Sequence, residues 1–326
     1  MLMNNLLRCL FLFAASLAAM PVFSVTLPGL PDFIDEMVLK HDFKRDELTG
    51  LFAQVEHRPE IIDAISRPST RKPWLEYRAA FVNAYRIRHG LAFWKAHRLD
   101  LIRAEKKYGV PQAIIVALIG VETLYGKQTG HFRTINALTT LAFDYPRRAV
   151  FFRDELENYL LLAREQQFDL LEVRSSYAGA MGIPQFMPSS YRNYAVDFNG
   201  NHKIDLLNET SDAIGSVGNY LQGYGWIRGG RVSVRAHLGG GSDMGAIDAP
   251  RSLEEWATVG VMPGVKIRLN AQARLLDYTV AEGREFWLGF NNFEVITRYN
   301  NSDYYAMTVF QLAEELRIAR NRRTVK

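Results

Sequence analysis

The sequence predicts a mainly α-helical protein of the α+β class, in which a small β subdomain is inserted. Two patterns lead to this prediction. Apolar residues recur with helical spacing along most of the chain as far as Tyr224, whereas residues 231–290 contain glycine-rich turns and short alternating runs. With 326 residues, of which 48% are hydrophobic and 23% charged, the chain can bury a sizeable core.

The predicted helices follow one another in chain order. They span residues 31–40, 45–53, 72–107 with a break near Gly90, 111–125, 133–142, 147–165, 212–223 and 304–320. Pro111 suits a first helical position, where its missing N–H is not needed, and Gly126 suits a helix end. Ser189 or Ser190 is expected to cap a further short helix.

The subdomains follow from where these patterns change. Strands are expected in the runs VSVRAHL, VKIRLNA and FWLGF between residues 231 and 290. Once the N-terminal segment is set aside, we expect a helical subdomain over 25–110 and a central core over 111–228. The β subdomain then covers 229–292, and a C-terminal segment and helix over 293–326 returns to the core.

Residues 1–24 have the features of a signal peptide. Arg8 precedes an apolar run from Cys9 to Met20, which is too short to span a bilayer comfortably, and cleavage is expected after Ser24. Cys9 is the only cysteine, and it lies at the start of the apolar run, whereas a lipid-anchored protein carries its cysteine at the cleavage point that follows the run. We therefore expect a soluble extracytoplasmic protein with no lipid anchor, thiol or disulfide.

The charge suits a polyanionic partner such as a cell-wall polymer. The formal net charge is +4 and the pI is near 9.0. Nucleic acid would suit this charge too, but no recognisable nucleic-acid motif is present. The sequence also lacks an H-E-x-x-H zinc site and a G-x-S-x-G elbow, and its glycine run GGGSDMG lacks the Lys-Ser/Thr pair of a phosphate loop. These absences argue against a catalytic zinc and a serine nucleophile.

Glu122 stands out as a candidate catalytic acid. Apart from Thr123, it is the one polar residue in the apolar run 114–124. A helix that is apolar on every side belongs in a core, where an ionised carboxylate is expensive to desolvate. Burial therefore favours the neutral acid, which can give its proton to a leaving group. The alternative is a structural Glu that reaches solvent at the helix end or pairs with a Lys or Arg.

A second candidate segment, SYAGAMGIPQFMPSSY at 176–191, has the composition of a sugar-binding loop. Ser176 and Gln185 can bind hydroxyl or amide groups, and Tyr177, Phe186 and Tyr191 offer flat apolar faces. The glycines and prolines of the segment indicate a shaped loop between helices. A structural turn with ordinary core aromatics would look much the same.

A third segment, residues 197–212, resembles a calcium loop. Oxygen-bearing side chains alternate at Asp197, Asn199, Asn201 and Asp205, and Lys203 would offer only its backbone carbonyl. The glycine that is usual at the sixth position is missing, and an Asn replaces the acidic twelfth residue. A solvated turn is the alternative to a weak calcium site.

Five segments in a shared order resemble the membrane-bound lytic murein transglycosylase B family. They are GVET at 120–123, NALTTLAFDYPRRAVFFRDEL at 136–156, the loop at 176–191, DAIGSVGNY at 212–220 and ITRYNNSDYYA at 296–306. The resemblance runs from about Gly90 to Ala319 and is weakest between Arg231 and Arg284. It implies a lysozyme-like catalytic core and a periplasmic location, with the soluble members of the family as the nearest parallel.

The resemblance implies cleavage of the β-1,4 bond between N-acetylmuramic acid and N-acetylglucosamine in peptidoglycan without water. Glu122 would act first as acid and then as base, with the substrate's acetamido oxygen in place of a second carboxylate, giving a 1,6-anhydromuramyl product. Ser176 would hydrogen-bond the acetamido group, and Gln185 would line the site. The resemblance assigns further cleft-shaping positions to Tyr220, Tyr299 and Asn300. Each tyrosine could instead be a core aromatic whose hydroxyl is satisfied.

The resemblance also implies a metal site and partners. No cofactor is required, but family members carry an EF-hand-like loop closed by a later Asp, here Asp212. The implied ligands of a weak structural Ca²⁺ are Asp197, Asn199, Asn201, Lys203 and Asp212. Peptidoglycan strands are the implied partner, and cell-wall synthesis or division proteins stay open as others.

Two other functional classes stay open. A lysozyme-type hydrolase would need a carboxylate that holds a water molecule, and it would not make 1,6-anhydromuramyl ends. A non-catalytic wall-binding protein would keep the cleft but would have no need of Glu122 in an apolar helix.

Overall fold

The computed structural model describes residues 27–67, 72–239 and 249–324. The predicted signal peptide with Cys9, nearly all of the GGGSDMG run and the last two residues lie outside this part of the chain. The described residues form fourteen α-helices and seven strands, so the prediction of a mainly helical protein with a small β part is confirmed.

The helices account for most of the described residues. They are α1 (Leu30–His41), α2 (Arg45–Phe52), α3 (Pro59–Ile65), α4 (Trp74–Phe81), α5 (Ala84–Ala96), α6 (Arg98–Tyr108), α7 (Gln112–Thr123), α8 (Thr134–Asp144), α9 (Ala149–Gln166), α10 (Pro188–Tyr194), α11 (Thr210–Gly223), α12 (Leu253–Thr258), α13 (Asn291–Thr297) and α14 (Asp303–Thr324).

The predicted break near Gly90 is wrong. Residues 72–107 form three helices, α4 to α6, which are interrupted at Val82–Asn83 and at His97. Gly90 lies inside α5, where a Cβ atom would collide with the side chain of Tyr125. Its glycine therefore serves the close packing of that tyrosine and does not end a helix.

Three short helices and one cap also differ from the prediction. Helices α3, α12 and α13 were not predicted, although Ser252 and Glu255 form a capping box at the start of α12. Helix α10 begins at Pro188 and has no side-chain cap, so neither Ser189 nor Ser190 has the predicted role. Proline suits this first position because the missing N–H has no partner to lose.

The strands form two antiparallel sheets. They are β1 (Phe132–Arg133), β2 (Arg174–Ser175), β3 (Ser233–Leu238), β4 (Arg251–Ser252), β5 (Val261–Pro263), β6 (Gln272–Val280) and β7 (Gly283–Gly289). Strands β1 and β2 pair with each other, and the others form a sheet in the order β4-β6-β7-β3-β5. The run VKIRLNA is not a strand but connects β5 to β6, because alternation alone does not supply a pairing partner.

Helix α7 lies in the middle of the main hydrophobic core. Ten of its twelve residues are buried, and it contacts α5, α6, α11 and α14. This core runs without interruption from α1 to α14, and a smaller one surrounds Trp256 in the β part. The exact subdomain boundaries stay a prediction. None of the helices in the described ranges combines the length and hydropathy needed to cross a bilayer.

Candidate active site

Glu122 lies in the last turn of α7, between two buried neighbours. The residue itself is only half-buried, so a ligand can reach it. Burial raises the pKa of its carboxyl to about 7, against a hydrogen bond from Tyr305 and the charge of Arg86, which lower it. Near neutral pH the group is therefore present both as acid and as carboxylate, which suits proton donation and proton removal.

Tyr305 is a site residue that the sequence reasoning missed. It lies on α14, is buried, and donates its hydroxyl hydrogen to Oε1 of Glu122. Burial and the nearby carboxylate raise the pKa of the Tyr305 hydroxyl well above its ordinary value, so it remains a donor. The ITRYNNSDYYA segment contains this residue, but nothing local distinguishes it from Tyr304 beside it.

Arg86 on α5 is the second missed residue. Its Nη1 donates to the carbonyl oxygen of Gly120, and its guanidinium lies 4.9 Å from the ring centre of Phe81. Within the described residues, Glu122 forms no ion pair with Arg86 or any other basic side chain. The alternative of a structural Glu paired with a Lys or Arg therefore finds no support.

The backbone beyond Glu122 is strained and firmly held. Leu124 and Tyr125 have left-handed φ angles of 51° and 63°, which cost non-glycine residues about 1–3 kcal/mol each. The Thr123 hydroxyl donates to the carbonyl of Ile183 at 2.8 Å and accepts from the N–H of Gly126 at 2.9 Å. These bonds fix the end of α7 against the 183–185 loop.

Ser176 is arranged as a hydrogen-bond donor. Its Oγ accepts from the backbone N–H groups of Ala178 at 3.3 Å and Ala180 at 3.1 Å. Both acceptor sites of the hydroxyl are thus occupied, and its hydrogen remains for another acceptor. An amide carbonyl oxygen, such as that of an acetamido group, is a suitable partner.

Gln185 is arranged as a hydrogen-bond acceptor, and it lines a cavity together with Ser176. Its Nε2 donates to the carbonyls of Thr129 at 3.0 Å and Gly182 at 2.9 Å, which leaves Oε1 for a ligand. The cavity measures about 470 Å³ and is lined by Lys127, Gln128, Thr129, Gly130, His131, Ser176 and Gln185. Glu122 does not line this cavity. Tyr299 lies close to the cavity, because its hydroxyl donates to the carbonyl of Pro184, which precedes Gln185.

Tyr220 and Tyr299 form an aromatic wall, with ring centres 4.8 Å apart. The hydroxyl of Tyr220 donates to the carbonyl of Arg298 at 2.7 Å, and that of Tyr299 donates to Pro184. Burial raises the pKa of both hydroxyls. Their hydrogens are thus committed to the backbone, and the rings give the site its shape. Asn300, the next residue, is exposed.

The predicted calcium loop is held together by its own hydrogen bonds. Asp197 accepts from three backbone N–H groups, those of residues 200, 201 and 202. Asn199 and Asn201 turn their amide nitrogens toward Glu209, a carboxylate that the sequence reasoning did not include. The backbone N–H of Lys203 donates to Asn201 at 2.9 Å.

Asp212 lies beneath this loop, fully buried. Its carboxylate accepts from the backbone N–H groups of Phe198, Asn199 and Asp205. Nowhere in the described part of the chain do three or more His, Cys, Asp or Glu residues gather as metal ligands. Asp212 thus holds the loop in place from below through these three hydrogen bonds.

Comparison with known proteins finds a matching family model and a curated relative. The family model, described as transglycosylase SLT domain, matches residues 28–314, which include Glu122, Ser176 and Tyr305. The membrane-bound lytic murein transglycosylase B of Escherichia coli (strain K12) is 42% identical over 303 residues, which cover 90% of this chain and 84% of the relative.

Solved structures are also similar over most of the chain. The soluble lytic transglycosylase SltB1 from Pseudomonas aeruginosa is 47% identical with a TM-score of 0.85, covering 90% of this chain and all of that one. The Escherichia coli lytic transglycosylase Slt35 in complex with calcium is 41% identical, with a TM-score of 0.84 and 90% and 94% coverage. SltB3 from Pseudomonas aeruginosa in complex with NAG-anhNAM-pentapeptide is 31% identical, with a TM-score of 0.79 and 88% and 78% coverage.

Proposed function

The chain belongs to the transglycosylase SLT domain family and is a lytic transglycosylase acting on peptidoglycan, and on this premise we propose how its residues perform the reaction. The resemblance predicted from five sequence segments is thereby confirmed. The proposed reaction cleaves the β-1,4 bond between N-acetylmuramic acid and N-acetylglucosamine. The observation that carries it is a single half-buried carboxyl, Glu122, at the end of a buried helix and hydrogen-bonded to Tyr305.

In the first step, Glu122 protonates the glycosidic oxygen. A pKa of about 7 keeps much of the group protonated at neutral pH, which burial favours. As the bond breaks, the carboxylate that forms keeps the hydrogen bond from Tyr305 and is stabilised by the charge of Arg86. Both groups thus favour the state that follows proton transfer.

In the second step, the substrate supplies its own nucleophiles. The proposed reaction needs no second carboxylate beside Glu122. The acetamido oxygen would stabilise the anomeric carbon, with Ser176 donating to the acetamido group. Glu122, now a base, removes the proton from the C6 hydroxyl of the muramyl sugar, which closes to a 1,6-anhydro ring.

The remaining residues shape the site and exclude water. Gln185 offers its Oε1 to a sugar hydroxyl or amide, and the rings of Tyr220 and Tyr299 form a wall. Asn300, exposed beside Tyr299, would contact bound glycan. Water that reached the anomeric carbon would give hydrolysis, so a closed wall protects the intramolecular route.

Calcium is proposed as a weak structural ion at residues 197–212. The relative Slt35 was solved in complex with calcium. In this chain an ion has to compete with the backbone N–H groups that already occupy Asp197 and Asp212, which supports weak binding. No step of the proposed reaction involves the ion.

The site of action is proposed to be the periplasm, where peptidoglycan lies. Residues 1–24 would direct export and be removed after Ser24. Glycan strands are the proposed partner, as SltB3 was solved with a peptidoglycan fragment, and cell-wall synthesis or division proteins are further candidates. N-terminal sequencing of the protein recovered from the periplasmic fraction tests the cleavage position.

The test of the reaction is mass spectrometry of the muropeptides released from purified sacculi. The protein should release 1,6-anhydromuramyl ends, whereas a lysozyme-type hydrolase releases reducing ends. Glu122→Gln keeps the shape but removes the proton, so turnover should fall by several orders of magnitude while binding persists.

The matched control is Glu155→Gln. Glu155 is likewise buried on a helix, and burial raises its pKa, but its carboxylate is bound by Ser189 and does not line the cavity that contains Ser176 and Gln185. This variant should keep its turnover. Reducing ends as the main product, or near-normal lysis by Glu122→Gln, would refute the proposal.

A further inference from the structure

A second cavity adjoins the cleft on the side of strands β1 and β2. It measures about 260 Å³ and is lined by Glu56, Arg58, His131, Phe132, Arg133, Asn136 and Arg174. His131 also lines the cavity that contains Ser176 and Gln185, so the two cavities are neighbours. The reaction proposed above makes no use of this second cavity.

Two arginines face each other at this cavity. Arg133 on β1 and Arg174 on β2 are directly opposite in the antiparallel ladder. Like charges in this arrangement destabilise a sheet, because the Cβ atoms of opposite residues are only about 5 Å apart. Among the described residues neither guanidinium pairs with a carboxylate, and Arg174 has only a long bond of 3.4 Å to the carbonyl of His131. A bound anion would relieve this repulsion.

A buried amide also faces the cavity. Asn136 is only 3% exposed, and its Oδ1 accepts from the backbone N–H of Glu56 at 3.3 Å. This bond orients the side chain, and its Nδ2 forms no hydrogen bond within the described part of the chain. This Nδ2 is not one of the fully buried atoms without a partner, so it is a donor open to the cavity.

The other charges at the cavity are already committed. Arg58 donates to Glu60 at 2.6 Å and to Glu56 at 3.1 Å, so its charge is compensated. Glu56 is the one carboxylate among the lining residues. Two arginines and one amide therefore remain as donors, and donors of this kind match the two oxygens of a carboxylate.

We propose that Arg133, Arg174 and Asn136 bind a carboxylate of the peptide-bearing arm of muramic acid. This inference rests on the function proposed above. Alternating N-acetylglucosamine and muramic acid rings are neutral, so the anionic groups of the substrate lie on the lactyl group and its peptide. SltB3 was solved with a fragment that carries a pentapeptide.

The distance between the two sites suits this substrate. Arg174 precedes Ser176 by two residues, and in extended chain side chains two positions apart lie on the same face, about 7 Å from each other. A sugar whose acetamido group reaches Ser176 can thus direct its lactyl-peptide arm toward Arg174. The cavity would favour peptide-substituted strands over bare ones.

The test measures binding in the full chain carrying Glu122→Gln, so that the ligand stays intact. Three tetrasaccharides are compared by calorimetry: muramyl glycan with pentapeptides, the same glycan without peptide, and an N-acetylglucosamine tetramer. Replacing both Arg133 and Arg174 with Ala should weaken binding of the pentapeptide glycan about tenfold. Binding of the neutral tetramer should not change. Salt should weaken the binding of the pentapeptide glycan by the Glu122→Gln protein and have less effect when both arginines are replaced as well.

The matched control is Arg317→Ala, which removes an exposed arginine from α14 outside both cavities. It should leave all three affinities unchanged. A tenfold loss on the pentapeptide glycan supports the inference, whereas a loss confined to the peptide-free glycan would contradict it. Equal losses on all three ligands, or none, would overturn the inference.

The two proposals fail in different ways. If the Glu122→Gln protein digested its ligand during the measurement, mass spectrometry would show the products and the catalytic proposal would fall. The effect of the arginine substitutions would still follow from comparing the affinity for the neutral tetramer with the affinities for the charged glycans. The single variants Arg133→Gln and Arg174→Gln repeat the test with smaller changes to the ladder.

Discussion

The hydroxyl of Tyr305 donates a hydrogen bond to Oε1 of Glu122. The two residues lie 183 positions apart in the chain, on α14 and α7, which pack against each other in the core. Burial raises the pKa of Glu122, and this bond opposes the rise by stabilising the carboxylate. The balance sets the pKa at about 7, where one group can give and take a proton.

Replacing Tyr305 with Phe should raise the pKa of Glu122 above about 7, because a bond that favours the carboxylate is lost. The first step needs the protonated acid, so the alkaline limb of kcat/KM should move to higher pH, by about one unit. Turnover should fall as well, because the carboxylate that forms is less stable. The measurement is the pH dependence of sacculus lysis.

The neighbouring residue provides the control for this prediction. Tyr304→Phe removes a hydroxyl from a ring that packs on Trp74 at 5.2 Å, and Tyr304 does not contact Glu122. Its alkaline limb should stay where it is. The same displacement in both variants would argue against a specific role of the Tyr305 hydroxyl.

Folding stability should depend on pH through Glu122. Burial raises the pKa of its carboxyl from 4.5 to about 7, so between these values the folded protein holds a proton that the unfolded chain has released. The stabilisation is complete below pH 4.5 and is lost as the pH rises through 7, by about 3 kcal/mol at most. Glu122→Gln cannot ionise and should not show this loss.

Urea unfolding at pH 5 and pH 8 measures this effect. The variant should gain in unfolding free energy relative to the original protein on going from pH 5 to pH 8. If the two proteins differ in unfolding free energy by the same amount at both pH values, the Glu122 carboxyl has the same pKa in the folded and the unfolded state.

Gly120→Ala should destabilise the fold beside the site. A Cβ atom there would lie 2.6 Å from the ring of Tyr125, whose hydroxyl donates to the carbonyl of Arg86 at 2.9 Å. The ring has to move, at a cost of about 1–3 kcal/mol. Thermal unfolding should show a lower Tm, and turnover should fall because Arg86 is displaced from Glu122.

Gly50→Ala is the matched control for this substitution. Gly50 lies in α2, and a Cβ atom there meets nothing within 4 Å. Alanine favours a helix over glycine by up to about 1 kcal/mol, so the Tm should stay or rise. A Tm decrease equal to that of Gly120→Ala would contradict the steric argument.

Calcium, if the 197–212 loop binds it, should change stability and leave turnover alone. At about ten times its Kd an ion adds about 1.4 kcal/mol, which corresponds to a Tm increase of about 2–4 °C over the chelated protein. Lysis should be equal in calcium and chelator, because no loop side chain contacts Glu122. An unchanged Tm would remove the metal prediction.

The sequence predicted the helices correctly where the local apolar pattern determines them. The predicted helices at 111–125 and 212–223 correspond to α7 and α11, because apolar periodicity reflects which face is buried. The break predicted at Gly90 was wrong, because a glycine is needed there to leave room for the side chain of Tyr125, which is distant in sequence. The strand predicted at VKIRLNA was also wrong, since a strand exists only where another strand pairs with it.

The sequence alone determined the buried helix α7, the lone carboxyl that it carries and the family to which the chain belongs. Tertiary structure decided what surrounds that carboxyl: the hydroxyl of Tyr305 and the guanidinium of Arg86. It also brought Arg133 opposite Arg174. The reason is physical, because helix formation depends on neighbours three and four residues away, whereas a proton's affinity depends on every charge and donor that packing brings within a few ångströms.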